Sequence, residues 1–339
     1  MVQWLETPLN DLLREAGSLP HALLLRGPRG IGKQAMAIEL ARSLLCEKPL
    51  ATGRACGQCA SCGWFDGGNH PDFRMLQPEA DMPTDETGEG AKQKEKEGKV
   101  STWITIEQVR ELHDFIHVSS HRGGRKVIVV SPAEALNVAA ANALLKNLEE
   151  PPAQTHFILV SHRAQRLLRT ILSRCRQLPL ARPATAEALA WLKSRNVAQP
   201  EVVLAQASGA PLLAEALSAG DELAGRSELL HLLADSSFDP LVAAESLRDL
   251  PLDRFVSWLQ KWTGDLVEQR LLGCIRYNPD FTREITLLAR RIEPLAALRL
   301  QRKLTREQRH VQHPLNARLY MESVLLAYHA LLNPVRRVA

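Results

Sequence analysis

No stretch of the 339-residue chain approaches the ~18 consecutive apolar residues needed to cross a bilayer, which excludes a membrane-spanning helix. The opening residues, MVQWLETPLNDLLREAG, carry acidic side chains and lack a basic-then-apolar order, so no secretory leader is expected there. Neither sign of charge dominates. Lys and Arg number 42 against 38 Asp and Glu, a net +4 that is compatible with work beside nucleic acid but too weak to demonstrate it. Cysteine is scarce as well: there are six, and four of them crowd into one segment. That distribution argues against a disulfide framework and for a reducing, cytoplasmic setting. No internal repeat is found. What remains, 45% apolar and 24% charged, is an ordinary globular composition, long enough for two or three domains.

One absence is more specific. Residues 27–34 read GPRGIGKQ. Gly27, Gly32 and Lys33 fit the phosphate-cradling pattern G-x4-G-K, but Gln34 stands where Ser or Thr would bind magnesium. The apolar strand Val127-Ile-Val-Val130 should then end in acidic residues if the chain hydrolysed nucleotide; it ends in Ser131 and Pro132. Glu134 lies close by, and its spacing predicts the start of the next helix, where an acid suits the helix dipole. The loop can hold a phosphate, and a neutral amide is a poor Mg²⁺ ligand. ATP and Mg²⁺ are therefore not expected to bind productively. Lys33 could equally be retained as a structural residue.

The first half alternates short apolar runs with helical patterns, the rhythm of a parallel sheet covered by helices. Strands are predicted at 22–25, 73–76, 126–130, 156–160 and 176–180. Helices are predicted at 33–45, from Thr105 onward, at 134–149 and at 165–171. Thr105 and Gln108 make a capping-box signature, with Ile104 and Val109 as its hydrophobic staple. Residues 78–99 are Asp, Glu, Lys, Gly and Pro with little to bury, and a solvated, disordered loop is expected. After Pro183 strands vanish. Short helices are predicted at 185–193, 201–207 and 212–217, and the rest is helical.

The cysteines form the strongest local signal. Cys56-x2-Cys59-x2-Cys62, with Cys46 ten residues upstream, supplies four thiolates, a closed tetrahedral set for a structural Zn²⁺. A cluster of reduced or redox-active thiols is the alternative. The triplet Ser173-Arg174-Cys175 follows a helix and precedes a strand; an exposed arginine there means little by itself.

Together these residues resemble the AAA+ clamp-loader family. The likeness is carried by residues 21–33, by the Cys46/Cys56/Cys59/Cys62 module, by Asn142-Ala-Leu-Leu-Lys-Asn-Leu-Glu-Glu-Pro-Pro152 and by Ile171-Leu-Ser-Arg-Cys175. Further on it is looser, through Pro314-Leu-Asn316 and Glu322. The resemblance implies an α/β fold class: an AAA+ P-loop domain with a parallel sheet and zinc module (1–180), a small helical lid (181–219) and an all-helical collar (220–339). It implies that Arg174 is an arginine finger, placed in trans on a neighbour's ATP site. It implies partners: gamma/tau-type ATPase subunits and a delta subunit in a heteropentamer, and through that assembly the sliding clamp and primer-template DNA of the DNA polymerase III holoenzyme. Gln34, Ser131 and Pro132 depart from the motor subunits of such loaders, as does the lack of an arginine in Gly209-Ala-Pro-Leu-Leu213. The expectation is a non-hydrolysing loader subunit without intrinsic ATPase. The alternatives are an active ATPase motor of the same machine and a zinc-dependent nucleic-acid binder that acts alone through basic stretches such as His121–Lys126.

Overall fold

The computed structural model describes residues 2–81, 101–118, 120–121, 124–220, 222–308 and 316–333. The chain divides into two compact units, Met1–Pro183 and Ala184–Ala339.

The first unit is built on five parallel strands: β1 (Ala22–Arg26), β2 (Phe73–Leu76), β3 (Lys126–Val130), β4 (Thr155–Ser161) and β5 (Arg176–Pro179). Their order in the sheet is β2-β3-β4-β1-β5. The three central strands are apolar almost throughout because helices cover both faces, as parallel sheets require. On one face Ala22, Leu24, Ile128, Val130, Phe157 and Leu159 pack against helices at Ile106–His117, Val138–Glu149 and Arg169–Arg174. With α1 (Glu6–Arg14), α2 (Lys33–Leu45) and α3 (Ala60–Asp66) before them, these are α4, α5 and α6. Helix α2 packs on β3 and β4 from the opposite face through Met36, Leu40 and their neighbours.

The capping box at Thr105 and Gln108 is present, and Ile104 and Val109 are both fully buried beside it. Two helix boundaries differ from the sequence reading. The helix expected from Glu134 begins at Val138, because Asn137 caps it by accepting from the Ala140 amide, and residues Ala133–Ala135 form a separate 3-10 turn. The helix expected over 165–171 is a 3-10 turn at Ala164–Arg166 followed by α6, which carries Arg174 in its last turn rather than on a loop. Most of the 78–99 loop lies outside the described residues, as do Arg122, Gly123, Pro314 and Leu315; its start, Glu79–Asp81, is a 3-10 turn.

The second unit is all helical among its described residues. Its core runs from Leu229 to Leu332 and includes Trp258, Trp262, Phe255 and Tyr328. Trp262 Nε1 donates to Tyr328 Oη at 2.9 Å, and Tyr328 Oη donates to the Leu233 carbonyl at 2.9 Å, so both buried polar atoms are satisfied. The short helices Thr185–Ser194, Pro200–Gln206 and Pro211–Ser218 belong to this same unit. Gln206 ties them in: its Nε2 donates to the Tyr277 carbonyl and to Asn278 Oδ1, while Lys261 Nζ donates back to the Gln206 carbonyl. Fully buried Asp265 holds that loop by accepting from the Arg276, Tyr277 and Asn278 amides. No helix among the described residues is long and apolar enough to cross a membrane.

Candidate functional site

In an open parallel sheet, ligands sit at the carboxyl ends of the strands. Here β1 ends in the glycine loop, β3 in Ser131 and β4 in Ser161 and His162. Gly27 is obligatory for close approach. A Cβ there would meet the Leu180 carbonyl oxygen at 2.2 Å, since Leu180 N donates to the Arg26 carbonyl and draws β5 tight against β1. Gly32 caps α2 at φ 94°, a left-handed conformation that glycine accepts without cost.

Lys33 is only 2% exposed. Its Nζ donates to the carbonyls of Gly27 at 2.8 Å and Pro28 at 2.5 Å, so the ammonium is turned back on its own loop. Burial pulls its pKa down to about 8, with Glu134 pulling the other way. The two positions that lack metal ligands meet each other: Ser131 Oγ donates to Gln34 Oε1 at 3.3 Å. A hydroxyl and an amide so paired offer no carboxylate and no anionic oxygen to a divalent cation.

Glu134 overturns the expectation of a helix-dipole role. Its carboxylate accepts from the His162 amide at 2.9 and 3.2 Å, which links the turn after β3 to the end of β4. Burial, and then the positive field of Lys33, push His162 down to about 4, so its imidazole is neutral at pH 7. In the sequence His162 shows only its place just after a strand, and Glu134 only as an acid that follows β3.

The four cysteines converge. Their sulfurs all lie within 4.8 Å of one another. The Cys46–Cys59, Cys56–Cys62 and Cys46–Cys62 separations are 3.8, 4.0 and 3.7 Å. Zn–S bonds of ~2.3 Å in a tetrahedron place sulfurs ~3.8 Å apart, so the donor set fits a four-thiolate metal. It does not fit disulfides, which need ~2.05 Å. Amides of Cys56, Gln58, Cys59 and Cys62 donate to these sulfurs, as is usual for thiolates. Burial opposes ionisation at Cys59, yet donors from Cys62 and Glu47 outweigh it and bring that thiol to about 6; burial pushes Cys62 up to about 12. Packed thiols cannot all ionise without a cation among them.

Arg174 is half-buried and partnered. Its NH2 meets Glu149 Oε1 at 2.5 Å, and its NH1 donates to the Thr170 carbonyl at 3.0 Å. The neighbouring Cys175 is buried against α5 and α6. In the sequence Glu149 is distinguished only as part of the Asn142–Pro152 stretch.

A family model described as "DNA polymerase III, delta subunit" matches residues 8–184. A curated "DNA polymerase III subunit delta'" from Pseudomonas aeruginosa is 35% identical, with 93% of each chain covered. The chain belongs to the delta-prime family of DNA polymerase III subunits. The delta-prime subunit of Escherichia coli K12 is 32% identical over 98% of this chain and 96% of its own. These likenesses run through both units, not the sheet unit alone. A solved gamma subunit-related protein from Thermotoga maritima is similar at 18% identity, over 96% of this chain and 99% of its own, with a TM-score of 0.48.

Proposed function

We propose that the chain is a non-hydrolysing subunit of a clamp loader, and that it lends Arg174 to the ATP site of an adjoining ATPase subunit. One observation carries this reading: Ser131 and Gln34, at the two positions a motor uses for its metal, are hydrogen-bonded to each other. In-line phosphoryl transfer needs that cation, so Gly27, Gly32 and Lys33 remain as a vestigial or weak phosphate site. Arg174 offers a planar, permanently charged fork at the end of a short helix, suited to charge developing on a γ-phosphoryl group. The partners in this reading are gamma/tau-type ATPase subunits and a delta subunit in a heteropentamer. Sliding clamp and primer-template DNA are engaged through the assembly, in the cytoplasm and away from membrane. Cys46, Cys56, Cys59 and Cys62 hold a structural Zn²⁺. Residues 181–219 act as a lid and 220–339 as a collar.

The test is reconstitution with ATPase and delta subunits, comparing wild type with Arg174→Ala. An arginine finger is worth about 10³–10⁵ in rate. Hydrolysis at the one adjoining site should therefore vanish, and the clamp- and DNA-stimulated rate should fall by at least that site's share. An unchanged rate rejects the finger. Turnover by the isolated chain with Mg²⁺–ATP that disappears on Lys33→Ala would instead establish a motor.

A further inference from the structure

Helix α5 ends in two acids, Glu149 and Glu150, followed by Pro151 and Pro152. Acids are misplaced there: the helix C-terminus carries partial negative charge and prefers Lys, Arg or His. The end of its own helix therefore offers Glu149 no favourable dipole, and the charge that answers it lies on another element. The carboxylate contacts Arg174 at 2.5 Å, on the far side of the α5–α6 contact.

The frame around this pair is fixed. Leu144 and Leu148 of α5 and Ile171 of α6 are all buried in one cluster with Cys175. The Leu148 carbonyl, left over at the end of α5, accepts from His21 Nε2 at 3.1 Å, which pins the last turn to the entry of β1. On the other side, Arg174 NH1 is held by the Thr170 carbonyl. The guanidinium is thus gripped from two directions before any neighbour arrives. Its side chain nonetheless remains 34% exposed. An unrestrained arginine samples many rotamers, and misplacement of a reacting partner by about 1 Å costs about 100-fold.

We propose that Glu149 is the positioning residue for Arg174, presetting the fork in the orientation in which it meets the neighbouring subunit's nucleotide. This rests on Arg174 acting in trans. In this role Glu149 acts through the arginine. An exposed ion pair adds little to stability, so its value here is geometric.

The experiment uses the reconstituted loader in which only the adjoining ATPase site can bind ATP, read by stimulated hydrolysis. Glu149→Ala should lower kcat at that site about ten- to 100-fold with KM unchanged, while the melting temperature of the chain stays within error. Glu149→Gln keeps an oxygen at the same reach and should recover most of the rate. In an Arg174→Ala background, Glu149→Ala should add nothing. Unchanged or faster hydrolysis in Glu149→Ala overturns the proposal, as does an additive loss in the double variant or a failure of Glu149→Gln to recover. If Arg174→Ala itself has no effect, the trans-finger reading has failed; if it abolishes turnover while Glu149→Ala does nothing, only the positioning role has failed.

Discussion

Replacing Lys33 by methionine should make the chain more stable, which is the opposite of what a structural lysine would do. The side chain is almost wholly buried, and burial brings its pKa from 10.5 to about 8. At pH 7 the folded state holds a charge it would rather lose, at a cost of about 3 kcal/mol from that difference. Methionine has similar length and no charge. Its substitution forfeits the two bonds to the Gly27 and Pro28 carbonyls. Those residues are partly exposed, so water can replace the lost donor and the forfeit is about 1 kcal/mol or less for each. The net expectation for Lys33→Met is a gain of about 1–3 kcal/mol at pH 7. The pH dependence gives a second readout. Between about 8 and 10.5 the unfolded chain binds the proton that the folded chain has released, so wild-type stability rises with pH across that window. The variant lacks that rise, and the difference between the two cancels the groups that Lys33 does not influence; His162, which it does, titrates well below this window. Urea unfolding followed by pulse proteolysis, with peptides from residues 22–45 as the readout, confines the measurement to the sheet unit. A loss of 1 kcal/mol or more at pH 7 (about a factor of five in the folding equilibrium), with no difference between wild type and variant across the window, would refute the reasoning. Lys33 would then be a structural residue and not the remnant of a phosphate site.

Three further outcomes follow from the geometry. Gly27→Ala forces a Cβ against the Leu180 oxygen and must part β5 from β1; a loss of about 3 kcal/mol or more, read as a lowered melting temperature, is expected. Cys62→Ser should abolish stoichiometric metal measured by elemental analysis, whereas Cys274→Ser, at an exposed position outside the cluster, should leave it intact. His162 is neutral when folded and titrates near 4, so it contributes stability above the ordinary histidine range that is lost as pH falls from about 6.5 to about 4. His162→Asn should flatten that part of the acid-unfolding profile.

Much of the sheet unit was legible because its signals are local. Each strand is a short apolar run, the glycine loop lies between a strand and a helix, and the capping box at Thr105 fixed a helix start. The cysteine set was equally plain, since C-x2-C spacing brings ligands together on a single turn. Helix boundaries failed where two local signals competed: Glu134 looked like a first-turn acid, but Asn137 is the better cap and took the position.

The sequence by itself determined the strand and helix repertoire, the absence of a Ser or Thr at 34 and of acids at 131 and 132, the four-cysteine cluster and the arginine that ends α6. Only the tertiary structure decided which of these residues face each other. Gln34 and Ser131 are 97 residues apart in the chain, and Glu134 and His162 are 28 apart. Their pairing follows from the strand order β2-β3-β4-β1-β5, which sets β4 between β3 and β1 and gathers three strand ends at one edge. Glu149 and Arg174 meet for the same reason, because α5 and α6 lie on the same face of that sheet. Hydrophobic periodicity records how a segment is buried but not against what, and a charged pair across two elements leaves no trace in either one's spacing.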